Sequence, residues 1–299
     1  MLQPILLCNL LVEPGAHPRG QAHLSAASGL VRVDGRLYLV ADDEHHLGTL
    51  AADGAGVVQL HRLLAGDLPA DKGKRKKQKP DLEALALLPA EPGMAHGALL
   101  ALGSGSRPNR QQALQVVLDG GGLPCAAPVT YDLAAMYQPL REQFPDLNIE
   151  GAFVAGQRLR LLQRGNKGDA RNACIDYPLA QLRAWMAGGA DAPIPQNIQE
   201  FSLGDAGGVP LGFTDGAALP GGGWLFSAVA EDTGDSYNDG ACGASAIGWV
   251  TEGGTLQRLE YVAGAPKIEG ITLAEDGRLL MVTDSDDPAT PSALLSLAV

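Results

Sequence analysis

The sequence predicts an all-β chain folded as a single β-propeller of five four-stranded blades, and three observations predict it. A hairpin pattern, two apolar runs around a short Gly or polar turn and then a polar loop, occurs five times along the 299 residues. Each repeat is long enough for four strands, and such units bury their faces only against their neighbours. The last repeat is one strand short, while the N-terminus carries an apolar run with no partner of its own. Six blades is the alternative if a long connection hides another hairpin.

The first unit reads Ala27-Ser-Gly-Leu-Val-Arg-Val, DGR, then Leu37-Tyr-Leu-Val-Ala-Asp42. Three inner copies follow: PDLEALALL with GALLALGSGS, NIEGAFV with QRLRLLQRGN, and FTDGAALP with GGWLFSAVAED. The last unit reads Lys267-Ile-Glu-Gly-Ile-Thr-Leu, AEDGR, Leu279-Leu-Met-Val-Thr-Asp284. Apolar runs flanking such turns are the mark of β-hairpins. Aligning Ser28, Glu83, Glu150, Asp215 and Glu269 gives spacings of 55, 67, 65 and 54.

Strands are expected at 28–33, 36–42, 46–51 and 56–62 in the first unit. The fourth unit places them near 213–219, 223–230, 244–250 and 255–262, and the last near 268–273, 278–283 and 292–297. The run Gln3–Val12 is then the missing outer strand, and it closes a ring that would otherwise expose two apolar blade faces. Leu133–Phe144 and Pro178–Ala187 have helical apolar spacing and read as insertions on a blade rim. The run 66–80, with its basic knot Lys72, Lys74, Arg75, Lys76, Lys77 and Lys79, reads as a solvated loop. No linker interrupts the pattern, so residues 1–299 read as one domain.

Composition narrows the function classes. Apolar residues make up 45% and charged residues 19%, as in globular chains. Lys+Arg 22 against Asp+Glu 34 gives a net charge of −12, which argues against nucleic-acid binding. No stretch approaches the ~20 apolar residues of a membrane helix. The N-terminal run has no Lys or Arg before it and no small-residue cleavage site after it, so a cytoplasmic protein is expected. Cys8, Cys125, Cys174 and Cys242 form no CxxC pair and read as free core thiols.

The innermost strand of each blade lines the central channel, so the repeat sets Glu83, Glu150, Asp215 and Glu269 around one axis with Ser28 in the fifth slot. Converging carboxylates need a hard cation such as Ca²⁺ or Mg²⁺, a paired Arg or Lys, or a proton. Alternatively they bond to backbone amides of neighbouring blades. A second ring, where the second strands end, presents Asp42 and Asp43, the GSGSRPNR segment with Arg107 and Arg110, then Arg164, Glu231 and Asp284. The two arginines of that segment suit carboxylate or phosphate, although the segment lacks the GK[ST] of a Walker loop. Asp42-Asp-Glu-His-His46 holds metal-ligand types but reads as a polar hairpin turn, and DSDDPATPS lacks the pattern of an EF-hand loop. No GxSxG or HExxH occurs.

The motif Glu269-Gly-Ile…Asp276-Gly-Arg-Leu…Asp284, echoed in NIEGAFV and DLEALAL, resembles the esterase-like phytase domain proteins and their SdiA-regulated propeller relatives. The resemblance implies a propeller, and ester or phosphoester hydrolysis at a cation-assisted channel site. Two functions follow as expectations. One is a propeller that binds a small anionic ligand or a protein partner at its channel through Arg107, Arg110, Arg164, Lys267, Asp42 and Asp284. The other is a metal-assisted hydrolase of a small ester, lactone or phosphoester, with Ca²⁺ or Mg²⁺ on Glu83, Glu150, Asp215 and Glu269.

Overall fold

The hairpins of the sequence become five separate antiparallel sheets in a computed structural model that describes residues 1–234 and 241–299. The chain enters through β1 (Ile5–Asn9) and builds blade one from β2 (Ala27–Val33), β3 (Arg36–Ala41), β4 (His46–Ala51) and β5 (Gln59–Arg62). A short helix, α1 (Lys72–Gln78), leads to blade two: β6 (Leu82–Leu88), β7 (Ala98–Gly103), β8 (Gln112–Val117) and β9 (Val129–Asp132). After α2 (Ala134–Gln143), blade three holds β10 (Ile149–Ala155), β11 (Arg158–Gln163) and β12 (Asn172–Pro178), then α3 (Leu179–Met186) and β13 (Asn197–Phe201). Blade four adds a two-residue strand, β14 (Asp205–Ala206), to β15 (Val209–Ala218), β16 (Trp224–Glu231), β17 (Cys242–Val250) and β18 (Leu256–Tyr261). Blade five is β19 (Ile268–Leu273), β20 (Leu279–Thr283) and β21 (Ala293–Leu297), completed on its outer edge by β1.

β1 runs antiparallel to β21, with Ile5 opposite Ser296 and Asn9 opposite Ala293, so the first strand fastens the last blade as the sequence predicts. The inner strands β2, β6, β10, β15 and β19 touch one another in sequence and back to β2, which closes the ring. One apolar cluster fills each interface between neighbouring blades. Val31, Tyr38 and Leu85, for example, lie between blades one and two, and Leu30, Leu39 and Val282 between blades five and one. A second strand such as β3 or β16 is covered on both faces, which explains why it reads as a continuous apolar run.

Both helical insertions form where the apolar spacing places them. The 66–80 segment departs from expectation, because it contains α1 rather than a solvated loop. Asp71 accepts from the Lys74 amide at 2.8 Å and caps the helix, and Arg75 and Lys79 turn inward to meet buried carboxylates. Among the described residues the four cysteines are free, but only Cys174 is fully buried and Cys125 is exposed. No helix among the described residues is long and apolar enough to cross a membrane.

Candidate functional site

Every inner strand carries a β-bulge in its pairing with the second strand of its blade. The register shifts between Ala27 and Leu30, Leu82 and Ala84, Ile149 and Gly151, Phe213 and Asp215, and Ile268 and Gly270. The bulged residue is Glu83 in blade two, Glu150 in blade three and Glu269 in blade five, with Ser28 in blade one. In blade four it is Thr214, not Asp215. Asp215 stands one residue further on, at the position that Gly29, Ala84, Gly151 and Gly270 hold elsewhere.

That shift gives Asp215 a different role from the glutamates. Its side chain is fully buried, and Oδ2 accepts from the Ile271 amide at 2.8 Å. Burial pushes its carboxyl well above the ordinary range, while the amides of Ile271, Gly216, Ala152 and Leu30 pull the other way. The Ile271 bond ties blade four to blade five, while Oδ1 is buried without a hydrogen-bond partner among the described residues. Two of the equivalent positions, Gly151 and Gly270, leave no room for a side chain. A Cβ on Gly151 would lie 2.7 Å from Asp215 Cα, and one on Gly270 1.9 Å from the Ser28 carbonyl oxygen.

The three glutamates face a charged chamber built from the ends of the second strands and the residues just ahead of the inner strands. Arg164, just after β11, bonds Glu231, donates to Glu150 at 3.3 Å and lies 3.8 Å from Glu269. Lys267, just ahead of β19, meets Asp286 at 2.7 Å, Asp284 at 3.2 Å, Glu269 at 3.6 Å and Glu231 at 3.7 Å. On the other side Lys79 bonds Asp42 and lies 2.8 Å from Asp81, which also accepts from Arg110 at 2.8 Å. Burial opposes charge on Lys79 and Lys267, yet the surrounding carboxylates hold both well above the usual lysine value.

Glu83 is the exception. It has no hydrogen bond or ion pair among the described residues. Burial first, then the charges of Glu150, Asp81 and Asp42, push its carboxyl well above the ordinary range. Asp42 is raised to about 7 by burial, with Lys79 opposing and Asp43, Asp284 and Asp81 adding to the rise. One oxygen from each of Asp42, Asp81 and Glu83 lies within 4.8 Å of the others. Carboxylate oxygens gathered this closely suit a hard cation such as Ca²⁺ or Mg²⁺.

Above the triad a cleft of about 60 Å³ opens between α1 and the loop after β20, lined by Asp42, Lys79, Asp284, Asp286 and the exposed Lys72. Its volume suits an ion and a small group rather than a bulky substrate. Asp286, on its wall, is raised to about 6 by burial, with Lys267 opposing and Asp284 adding.

The candidate residues thus divide. Asp42, Asp284 and Glu83 gather at the cleft and triad, while Arg164 and Lys267 lie in the chamber among glutamates. Glu150 and Glu269 are paired with those two cations. Arg110 is buried against Asp81, so the GSGSRPNR segment cradles the protein's own carboxylate, and Arg107 is exposed on the surface. Sequence reasoning missed Lys79, Asp81 and Asp286. The available signal was position: Lys79 and Asp81 come just ahead of an inner strand, as Lys267 does.

The chain belongs to a family of unknown function, DUF6929, whose model matches residues 23–299. No functionally curated protein matches the sequence. Among solved structures it is similar to a protein of unknown function from Bacteroides caccae, at 12% identity and TM-score 0.40, covering 83% of this chain and 65% of that one. It is similar to virginiamycin B lyase from Staphylococcus aureus at 14% identity and TM-score 0.36, covering 92% and 65%. The WD40 propeller domain of Doa1 is similar at 10% identity and TM-score 0.41, covering 99% and 97%. The chain therefore spans slightly less than two thirds of the first two of these proteins. None of these likenesses, at TM-scores below 0.5, bears on what this chain does.

Proposed function

We propose that this member of the DUF6929 family binds a small anionic ligand at the mouth of its channel through a Ca²⁺ ion held by Asp42, Asp81 and Glu83. One observation carries the reading: Glu83 is a carboxyl facing two others with no cation of its own. The protein's cations are committed to its own carboxylates, Lys79 to Asp42 and Asp81 of the triad among them. Arg110, Arg164 and Lys267 each lie against carboxylates, so a free anion would have to displace an internal partner to reach them. A bound divalent ion removes that difficulty, because it adds charge without breaking the Arg164 or Lys267 network and leaves coordination positions for ligand oxygen. The test is calorimetric titration of chelator-stripped protein with Ca²⁺, then with small carboxylates and phosphates in the presence of Ca²⁺. Binding of the anions only when Ca²⁺ is present supports the reading, and equal binding without it contradicts it.

Hydrolysis of a small ester, lactone or phosphoester is a second reading, in line with the resemblance of the EG…DGRL motifs. Asp286 favours it: this carboxyl, raised to about 6, lines the cleft beside Asp42 and suits a general base. A metal at the triad would lower the pKa of a bound water, and Asp286 would take its proton. Ca²⁺-dependent turnover of a model ester or phosphoester, lost in Asp286→Asn with Ca²⁺ affinity intact, is the expected outcome of this reading.

A further inference from the structure

The seven residues of α1, Lys-Gly-Lys-Arg-Lys-Lys-Gln, include no apolar side chain. Surface helices ordinarily dock through an apolar stripe. This one is held by charge and hydrogen bonds. Arg75 donates to Asp43 at 2.7 Å, Arg110 donates to the Lys76 carbonyl at 3.0 Å, and Asn109 to the Lys79 carbonyl at 3.2 Å. Lys79, the residue that ends the helix, puts its ammonium between Asp42 and Asp81. These are two of the three carboxylates of the triad.

We propose that Lys79 is an internal cation that occupies the triad, and that α1 is a strap that loosens when a divalent ion takes the place of the ammonium. The inference rests on the triad being a cation site. An ammonium carries one charge and pairs with Asp42 and Asp81, leaving Glu83 without a partner. A divalent ion carries two and reaches all three, so it wins the site once its concentration is sufficient. The displaced Lys79 then joins the exposed Lys72, Lys74 and Lys77 on the strap. The mouth changes from a carboxylate-rich well to a cation rimmed by lysines, and an anion binds after the metal and not before it. The coupling is reciprocal, so a bound anion tightens the metal by the same factor.

The test is hydrogen exchange of residues 66–80 in the full-length, chelator-stripped protein, with and without Ca²⁺, beside calorimetry on wild type and Lys79→Met. The Arg75 and Lys79 amides, bonded to the Asp71 and Arg75 carbonyls, are the reporters. The proposal expects Ca²⁺ to speed their exchange several-fold and Lys79→Met to bind Ca²⁺ at least about tenfold more tightly. Binding to Lys79→Met alone overturns the strap, since the ion then does not displace the ammonium in the native protein. Ca²⁺ binding with exchange unchanged or slowed overturns the strap and leaves the cation site standing. Absence of binding to either protein overturns both. Should Lys79→Met fail to fold, Lys79→Gln keeps a polar group at the same place, and the wild-type exchange experiment decides on its own.

Discussion

The Ile271 amide of blade five donates to Asp215 Oδ2 of blade four at 2.8 Å, so the axis of the propeller is held by a side chain that one blade lends to the next. The equivalent positions Gly29, Ala84, Gly151 and Gly270 carry nothing larger than a methyl group. Asp215→Asn sets a donor against that amide and is expected to destabilise the fold by about 1–3 kcal/mol in urea unfolding. Gly151→Ala drives a Cβ to within 2.7 Å of the Asp215 backbone and is expected to cost a similar amount through overpacking. Unchanged midpoints would remove the staple.

Arg164 neutralises the chamber floor, and its removal takes the cation from Glu150 and leaves Glu231 and Glu269 to Lys267. Arg164→Gln is expected to cost about 3–5 kcal/mol near neutral pH. The loss should shrink as pH falls, because burial already raises the carboxyls of Glu150 and Glu269 and favours their protonation. A pH-independent loss would show that the guanidinium acts through packing alone.

Two carboxyls set opposite pH dependences. Asp42 is raised from 3.8 to about 7, so between those values the folded state keeps a proton that the unfolded chain releases. Its contribution to stability is full below the lower value and is lost as pH rises through the upper one. Glu44 runs the other way. Burial raises it, but the hydrogen bond with His17, the His46 ring 3.8 Å away and the charge of Arg19 bring it from 4.5 down to about 2. Its contribution is present above the first value and lost as pH falls toward the second. Melting temperature against pH should therefore fall less steeply between pH 4 and 7 in Asp42→Asn, where the other raised carboxyls remain, and keep its acid limb. A slope that persists unaltered would exclude Asp42 as its source.

Closure by β1 makes a prediction about solubility. Deleting residues 1–12 uncovers β21 as an open edge and removes the buried Leu10 and Val12 from the blade five–blade one interface. The truncated chain is expected to melt lower and to associate on size exclusion. A monomer of wild-type stability would contradict the closure.

The hairpins, the ring closure and the glutamates of the chamber were legible in the sequence, because the repeat writes them in each unit. Asp215 was legible as an axial residue but not at its true register. FTDG aligns with IEG by its acid, whereas the bulge aligns Phe213-Thr-Asp215 with Ile149-Glu-Gly151. A bulge adds a residue without any signal in composition. The basic run 72–79 hid Lys79 and Arg75 for a related reason. Six like charges read as a solvated face, and which of them turn inward depends on Asp42, Asp43 and Asp81, two of which belong to another blade.

The most direct test is the melting temperature of chelator-stripped wild type and Glu83→Gln, with and without millimolar Ca²⁺. At about 100 times its dissociation constant a bound ion stabilises the fold by roughly 2.7 kcal/mol, a clear shift. The account predicts that shift in wild type, at least as large at pH 8 as at pH 6, and its loss in Glu83→Gln with the fold intact. No shift in wild type, or an equal shift in both proteins, would contradict a cation site at Asp42, Asp81 and Glu83.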